Sequence, residues 1–116
     1  MTKSLEMVKL AKTALEDKKA QDIKIIDIRK VSVLADYFII ADGSNINQVQ
    51  AMVDSVEESL GRAGFECKQI EGYGTGGWIL MDYGDIIVHA FNREDRLFYD
   101  LERIWKDGTQ IDPDAL

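Results

Sequence analysis

Apolar residues recur at helical spacing in three segments, which predict helices at about 4–18, 44–63 and 93–105. Ser4, Ser44 and Asn92 are the expected N-caps, and Gly64 ends the second helix. The residues expected to face the core are Leu5, Val8, Ala11 and Leu15 in the first helix, Ile46, Val49, Val53, Val56 and Leu60 in the second, and Leu97, Phe98, Leu101, Ile104 and Trp105 in the third.

Shorter apolar runs predict five strands. Three lie at 22–29, 37–41 and 65–70, and the unbroken apolarity of 37–41 indicates a strand covered on both faces. Two more flank Asp82-Tyr83-Gly84-Asp85, a pattern typical of a β-hairpin with a tight polar turn. The order α-β-β-α-β-β-β-α indicates the α/β (α+β) class: a mixed sheet of about five strands flanked by helices.

Connection lengths give a first topology. The loop between the first two strands is too short for a crossover helix, so those strands are expected to be antiparallel neighbours. The helix between the second and third strands is a possible crossover connection, so those two strands could be parallel to each other, which would make the sheet mixed. We expect one domain over 1–107 and a polar C-terminal tail over 108–116 that frays after Lys106.

Composition narrows the class of protein. The chain has 116 residues, 46% of them hydrophobic, and a single cysteine, Cys67, which excludes an internal disulfide and a cysteine-based zinc site. No apolar run approaches the roughly 20 residues of a membrane span, and the N-terminus lacks an export signal. We therefore expect a cytoplasmic protein with no membrane partner.

The net charge of −7 is unevenly distributed. Residues 1–70 carry 10 Lys+Arg and 11 Asp+Glu, whereas residues 71–116 carry 4 and 10. A nucleic-acid binder normally shows a basic footprint, so this pattern argues against direct sequence-specific nucleic-acid binding. An acidic half favours a basic protein partner, although acidity that only maintains solubility explains the composition equally well.

The hairpin region holds the most informative residues. Trp78 opens a strand after a loop with four of the nine glycines, beside Tyr73, and serves either as a core residue or as an anchor for a partner. Strand alternation places Trp78, Leu80 and Asp82 on one face and Ile79 on the other. His89, the only histidine, is either a buried sheet residue or a surface contact.

Catalytic and cofactor sites are weakly supported. The glycine-rich loop precedes a strand rather than a helix, so it lacks the helix dipole of a phosphate-binding loop. Gly43-Ser44 is placed like the Gly-Ser turn of nucleotidyltransferases, but no pair of acids one residue apart follows on a strand. Asp82 and Asp85 are separated by a turn. We expect no metal, cofactor or catalytic residue. An atypical metal-dependent nucleotidyltransferase and a dimeric adaptor are kept as alternative functions.

The chain resembles the ribosomal silencing factor family, also called RsfS or Iojap, from about Leu5 to Asp107. The matching segments are Ala35-Asp36-Tyr37-Phe38-Ile39-Ile40, Gly43-Ser44 with Gln48-Val49, Glu71-Gly72, Trp78-Ile79-Leu80-Met81-Asp82, Gly84-Asp85, Val88-His89-Ala90-Phe91, and Arg96, Tyr99, Leu101-Glu102 and Ile104-Trp105. The order and spacing of these segments are specific. Asn47 stands where the family often has Arg.

The resemblance implies a non-enzymatic translation factor with a nucleotidyltransferase-like fold. Such a factor binds ribosomal protein number fourteen of the large subunit, sterically blocks joining of the two subunits, and represses translation under nutrient limitation. It also implies negative regulation of ribosome biogenesis and a homodimer when free. The predicted partner-binding residues are Tyr73, Trp78, Ile79, Leu80, Asp82, Asp85 and His89, with Trp78 and Ile79 as apolar anchors and Asp82, Asp85 and His89 as a polar surround.

Overall fold

A computed structural model of the chain describes residues 3–30, 33, 35–74, 77–93 and 108–112. The elements in chain order are α1 (Lys3–Asp17), β1 (Gln21–Asp27), β2 (Tyr37–Gly43), α2 (Ile46–Arg62), β3 (Gln69–Glu71), β4 (Trp78–Asp82), β5 (Ile86–Asn92) and β6 (Thr109–Ile111). The predicted α+β class with a mixed sheet is confirmed. The predicted third helix, including Trp105, lies outside the described residues except for Arg93.

The strands form one sheet in the order β3-β4-β5-β2-β1-β6. Among the described strands β2 and β5 are the parallel pair, and every other neighbouring pair is antiparallel. The antiparallel pairing of β1 with β2 was predicted correctly, but β3 is not the parallel neighbour of β2. A central parallel strand must be apolar on both faces, which suits β5 and excludes β3 with its polar Gln69 and Glu71.

Helices α1 and α2 pack on the same face of the sheet. Their apolar stripes meet the inward residues of the strands in one core, and the Ser55 hydroxyl of α2 donates to the Ala14 carbonyl of α1 at 3.1 Å. On β2, Ile39 faces this core while Ile40 belongs to a second apolar cluster on the opposite face. Both side chains are fully buried, so the prediction that this strand is covered on both faces is confirmed.

Local hydrogen bonds set the helix boundaries. Asn45, rather than the predicted Ser44, caps α2: its side chain accepts from the backbone N–H of Gln48, whose own side chain accepts from the Ser44 N–H. Gly64 ends α2 as predicted, in the left-handed conformation with φ of +92°. Ser4 is not the cap of α1, because it lies inside the helix and is buried.

Some strand boundaries differ from the prediction. The third strand is shorter and later than expected, Gln69–Glu71 instead of 65–70. The tail expected to fray contains β6, which pairs antiparallel with β1 and sets Ile111 opposite Ile25. Ile111 packs against the helix-side core, and this pairing covers the edge that β1 would otherwise expose.

Candidate functional site

The β4–β5 hairpin forms as the sequence predicts, and its register defines two faces. Ile79 and Met81 point into the helix-side core and are fully buried. Trp78, Leu80 and Asp82 alternate with them and therefore lie on the face away from the helices, where all three are half-buried. The face predicted to carry the anchor is thus the one opposite α1 and α2, where Trp78 packs at the border of the second apolar cluster.

An aromatic cluster organises this face around Trp78. The indole ring stacks on Phe91, its cross-strand partner, with centroids 5.3 Å apart and planes 20° apart. It also stacks on His89 at 5.9 Å, and Phe38 from β2 meets His89 edge-on at 4.9 Å. Trp78 is therefore partly a packing residue and partly exposed, which merges the two roles that the sequence left open.

His89 is buried within this cluster. The side chain is 4% exposed, and its Nδ1 accepts a hydrogen bond from Trp78 Nε1 at 3.1 Å. Burial lowers the pKa of His89 to about 4, so the ring is neutral at pH 7 and its proton resides on Nε2. Of the two roles that the sequence left open for His89, the buried sheet residue is confirmed, and its assignment to the polar surround is wrong, because Phe38, Trp78 and Phe91 pack around the ring.

Acidic residues from two strands lie beside Leu80. Glu71 of β3 is directly opposite Leu80, and Gln69 is opposite Asp82. The Gln69 amide donates to Glu71 at 2.6 Å, and Asp82 accepts from the Gly84 N–H at 2.8 Å. We call Trp78, Leu80, Asp82 and Glu71 together the β4 surface.

Glu71 was missing from the predicted site. The period-two alternation of Gln69-Ile70-Glu71 is its only signal in the sequence, and that alternation is informative only once β3 is known to pair with β4.

Tyr73 lies apart from Trp78. It is 39% exposed and rests against α2, where its hydroxyl donates to the Asp54 carboxylate at 3.1 Å and its carbonyl accepts from the Gln50 side chain at 2.9 Å. The bond to Asp54 raises the pKa of Tyr73. Because α2 covers the opposite face of the sheet, Tyr73 and Trp78 do not belong to one continuous contact surface.

Two further predicted residues are also separated from the β4 surface. Ile79 is fully buried under the helices and cannot meet a partner in this fold, which corrects its assignment as an anchor. Asp85 lies in the hairpin turn, where its carboxylate is 3.6 Å from Lys3 Nζ and its carbonyl accepts from the Asp36 N–H at 2.8 Å. The alternation of β4 and the length of the hairpin separate these residues from Trp78.

Gly72 places the chain that leads into β4. It has a φ of +82°, and a Cβ at this position would lie 2.2 Å from the carbonyl oxygen of Trp78. At the start of the strand, the Asn92 N–H donates to the Gly77 carbonyl at 2.9 Å. The position of Trp78 therefore depends on close backbone contacts at both ends of the preceding loop.

Among the described residues, no pair of acids one residue apart follows the Gly43-Ser44 turn on a neighbouring strand. A Cβ on Gly43 would lie 2.8 Å from Val49 Cγ2, so tight packing against α2 explains this glycine. The end of β5 beside it carries Phe91 and Asn92, while Asp82 and Asp85 lie at the other end of the strands. Within the described part of the chain, no three His, Cys, Asp or Glu side chains form a group that could hold a metal ion.

Comparisons with known proteins give a consistent result. A family model described as "Ribosomal silencing factor during starvation" (RsfS) matches residues 1–116. The ribosomal silencing factor RsfS of Bacillus subtilis is 37% identical over 108 residues, which cover 93% of this chain and 92% of the relative. That of Chromobacterium violaceum is 40% identical over 100 residues, covering 86% and 82%.

A crystal structure of a protein from Chromobacterium violaceum has the same fold. It superposes with a TM-score of 0.87 at 38% identity and covers 90% of this chain and 88% of its own. None of the helices in the described residues has the length and apolarity to cross a bilayer.

Proposed function

The chain belongs to the ribosomal silencing factor family, and we propose from that membership that it binds the large ribosomal subunit through ribosomal protein number fourteen and blocks joining of the small subunit. The observation that carries the proposal is the family match over residues 1–116 together with relatives named as silencing factors. The expected outcome is repression of translation when nutrients are limiting.

The β4 surface supports this proposal with the chemistry of a protein interface. Trp78 and Leu80 supply an aromatic and an aliphatic contact, and such residues dominate the energy of protein interfaces. Asp82 and Glu71 border them with negative charge, which complements a basic ribosomal protein and repels the phosphates of RNA. Residues 71–116 as a whole carry 4 Lys+Arg and 10 Asp+Glu, a net charge of −6, which favours a basic partner in the same way.

Co-sedimentation with separated ribosomal subunits tests the proposal. The chain should migrate with isolated large subunits and not with isolated small subunits in a sucrose gradient. Leu80→Ala should weaken this binding, because it removes a half-buried aliphatic contact from the β4 surface. Ile79→Val is the matched control: it alters the adjacent residue on the opposite, buried face and should leave binding unchanged. Migration with neither subunit would contradict the proposal.

The role that we propose is regulatory rather than catalytic. Incubation with Mg²⁺ and labelled nucleoside triphosphates should give no incorporation and no pyrophosphate release. Product formation that is lost in Asp82→Asn or Asp85→Asn would instead support the nucleotidyltransferase alternative. We further propose a cytoplasmic location and a homodimer in the free state, which analytical ultracentrifugation of the purified chain would test.

A further inference from the structure

We propose that His89 is a positioning residue for partner binding, whose buried imidazole holds the Trp78 ring in the orientation that meets the partner. This inference rests on the proposed function, because Trp78 must first be a contact residue. It assigns His89 a role inside the protein, where it supports the anchor without touching the partner.

The geometry gives His89 directional control over Trp78. Stacking of the indole on Phe91 restrains the plane of the ring, but a rotation of about half a turn about the Cβ–Cγ bond keeps that plane and moves Nε1 to another place. The 3.1 Å hydrogen bond from Trp78 Nε1 to His89 Nδ1 restrains that rotation, because it requires the indole N–H to point at one atom. Stacking and hydrogen bonding together define a single ring position.

Neighbouring residues in turn hold His89. The ring is 4% exposed and meets Phe38 edge-on at 4.9 Å, while its plane is 9° from that of Phe91. A residue fixed in this way provides an acceptor at a constant place. A contact residue that is already ordered in the free protein loses less conformational freedom on binding, so the partner binds more tightly.

Two substitutions separate positioning from packing, because the two roles predict opposite orders of effect. His89→Asn keeps an acceptor near the position of Nδ1 but loses ring volume, whereas His89→Leu retains much of the volume and removes the acceptor. If His89 positions Trp78, His89→Leu should weaken large-subunit binding roughly 3- to 10-fold, the effect of one lost hydrogen bond, and His89→Asn should weaken it less. If His89 only fills space, His89→Asn should be the more damaging change.

The indole N–H resonance provides a readout that does not depend on the ribosome. Trp78→Phe identifies the Trp78 signal in a ¹H–¹⁵N spectrum of the free protein, since the chain has two tryptophans. The signal should shift in His89→Leu and remain near its original position in His89→Asn. In a Trp78→Phe background, which has no indole donor, His89→Leu should cause no further loss of binding.

The inference is overturned if the Trp78 resonance is unchanged in His89→Leu, or if His89→Asn weakens binding as much as His89→Leu does. Failure of the unsubstituted chain to bind large subunits would overturn the proposed function instead. In that case the resonance would still decide whether His89 holds Trp78.

Discussion

Replacing Gly72 with alanine tests how the loop positions Trp78. Two costs coincide at this residue: a φ of +82°, which side-chain-bearing residues disfavour, and a Cβ that would lie 2.2 Å from the Trp78 carbonyl oxygen and 3.3 Å from its carbonyl carbon. Observed Cβ contacts are essentially never shorter than 3.0 Å. Because the obstructing atoms are backbone, relief requires movement at the start of β4.

The structure supplies controls for each cost. Gly64 has a φ of +92° but no atom within 4 Å of a Cβ, so Gly64→Ala measures the conformational cost alone, about 1–2 kcal/mol. Gly74 has neither feature, and Gly74→Ala should be within about 0.5 kcal/mol of the unsubstituted chain. Gly72→Ala adds the steric cost, and we expect a total loss of roughly 3–5 kcal/mol of the free energy of unfolding.

Urea denaturation of the three variants, followed by far-ultraviolet circular dichroism, measures these free energies. The reasoning is refuted if Gly72→Ala unfolds at the same urea concentration as Gly64→Ala, because the close approach to Trp78 would then cost nothing.

Further predictions concern Trp78, His89 and the acidic residues. Trp78→Ala should weaken large-subunit binding by about 2–4 kcal/mol, roughly 30- to 1000-fold. It should also lower the melting temperature, because Trp78 stacks on Phe91. Unchanged binding would exclude Trp78 as an anchor. The pKa of His89 is about 4 in the folded state and about 6.5 in the unfolded state, so the unfolded chain binds a proton on His89 at a higher pH than the folded chain does. The free energy of unfolding should therefore fall by up to roughly 3 kcal/mol as the pH drops from 6.5 to 4. His89→Phe should show a flatter pH dependence of unfolding, and an identical profile would contradict the burial of His89. Binding should weaken with added salt, less steeply when Asp82→Asn and Glu71→Gln are combined; equal salt dependence would show that these acids do not steer the partner.

Local patterns predicted those features whose determinants lie close together in the sequence. The 3.6-residue stripes indicated α1 and α2, and the apolar runs on both sides of the Asp82–Asp85 turn indicated the hairpin. The alternation of side chains along a strand separated Trp78 from Ile79 correctly. Adjacent capping residues of similar propensity, Ser44 and Asn45, could not be distinguished, because either can accept the bond from the first helical turn.

Features that depend on sheet order could not be read from the sequence. The parallel pairing of β2 with β5 joins residues about 50 positions apart, and no local pattern encodes that choice. The burial of His89 and the place of Glu71 beside Leu80 both follow from the sheet order. Tyr73 was grouped with Trp78 because they are close in sequence, but the loop carries Tyr73 to the surface of α2.

The most direct test of the account is a subunit-joining assay. Separated small and large subunits are mixed with Mg²⁺ in the presence of saturating chain, and the products are resolved on a sucrose gradient, with Trp78→Ala and Ile79→Val run in parallel. The account predicts that the unsubstituted chain and Ile79→Val reduce the peak of intact ribosomes and migrate with the large subunit, while Trp78→Ala at the same concentration reduces it less. An undiminished peak of intact ribosomes at saturating unsubstituted chain would contradict the silencing role.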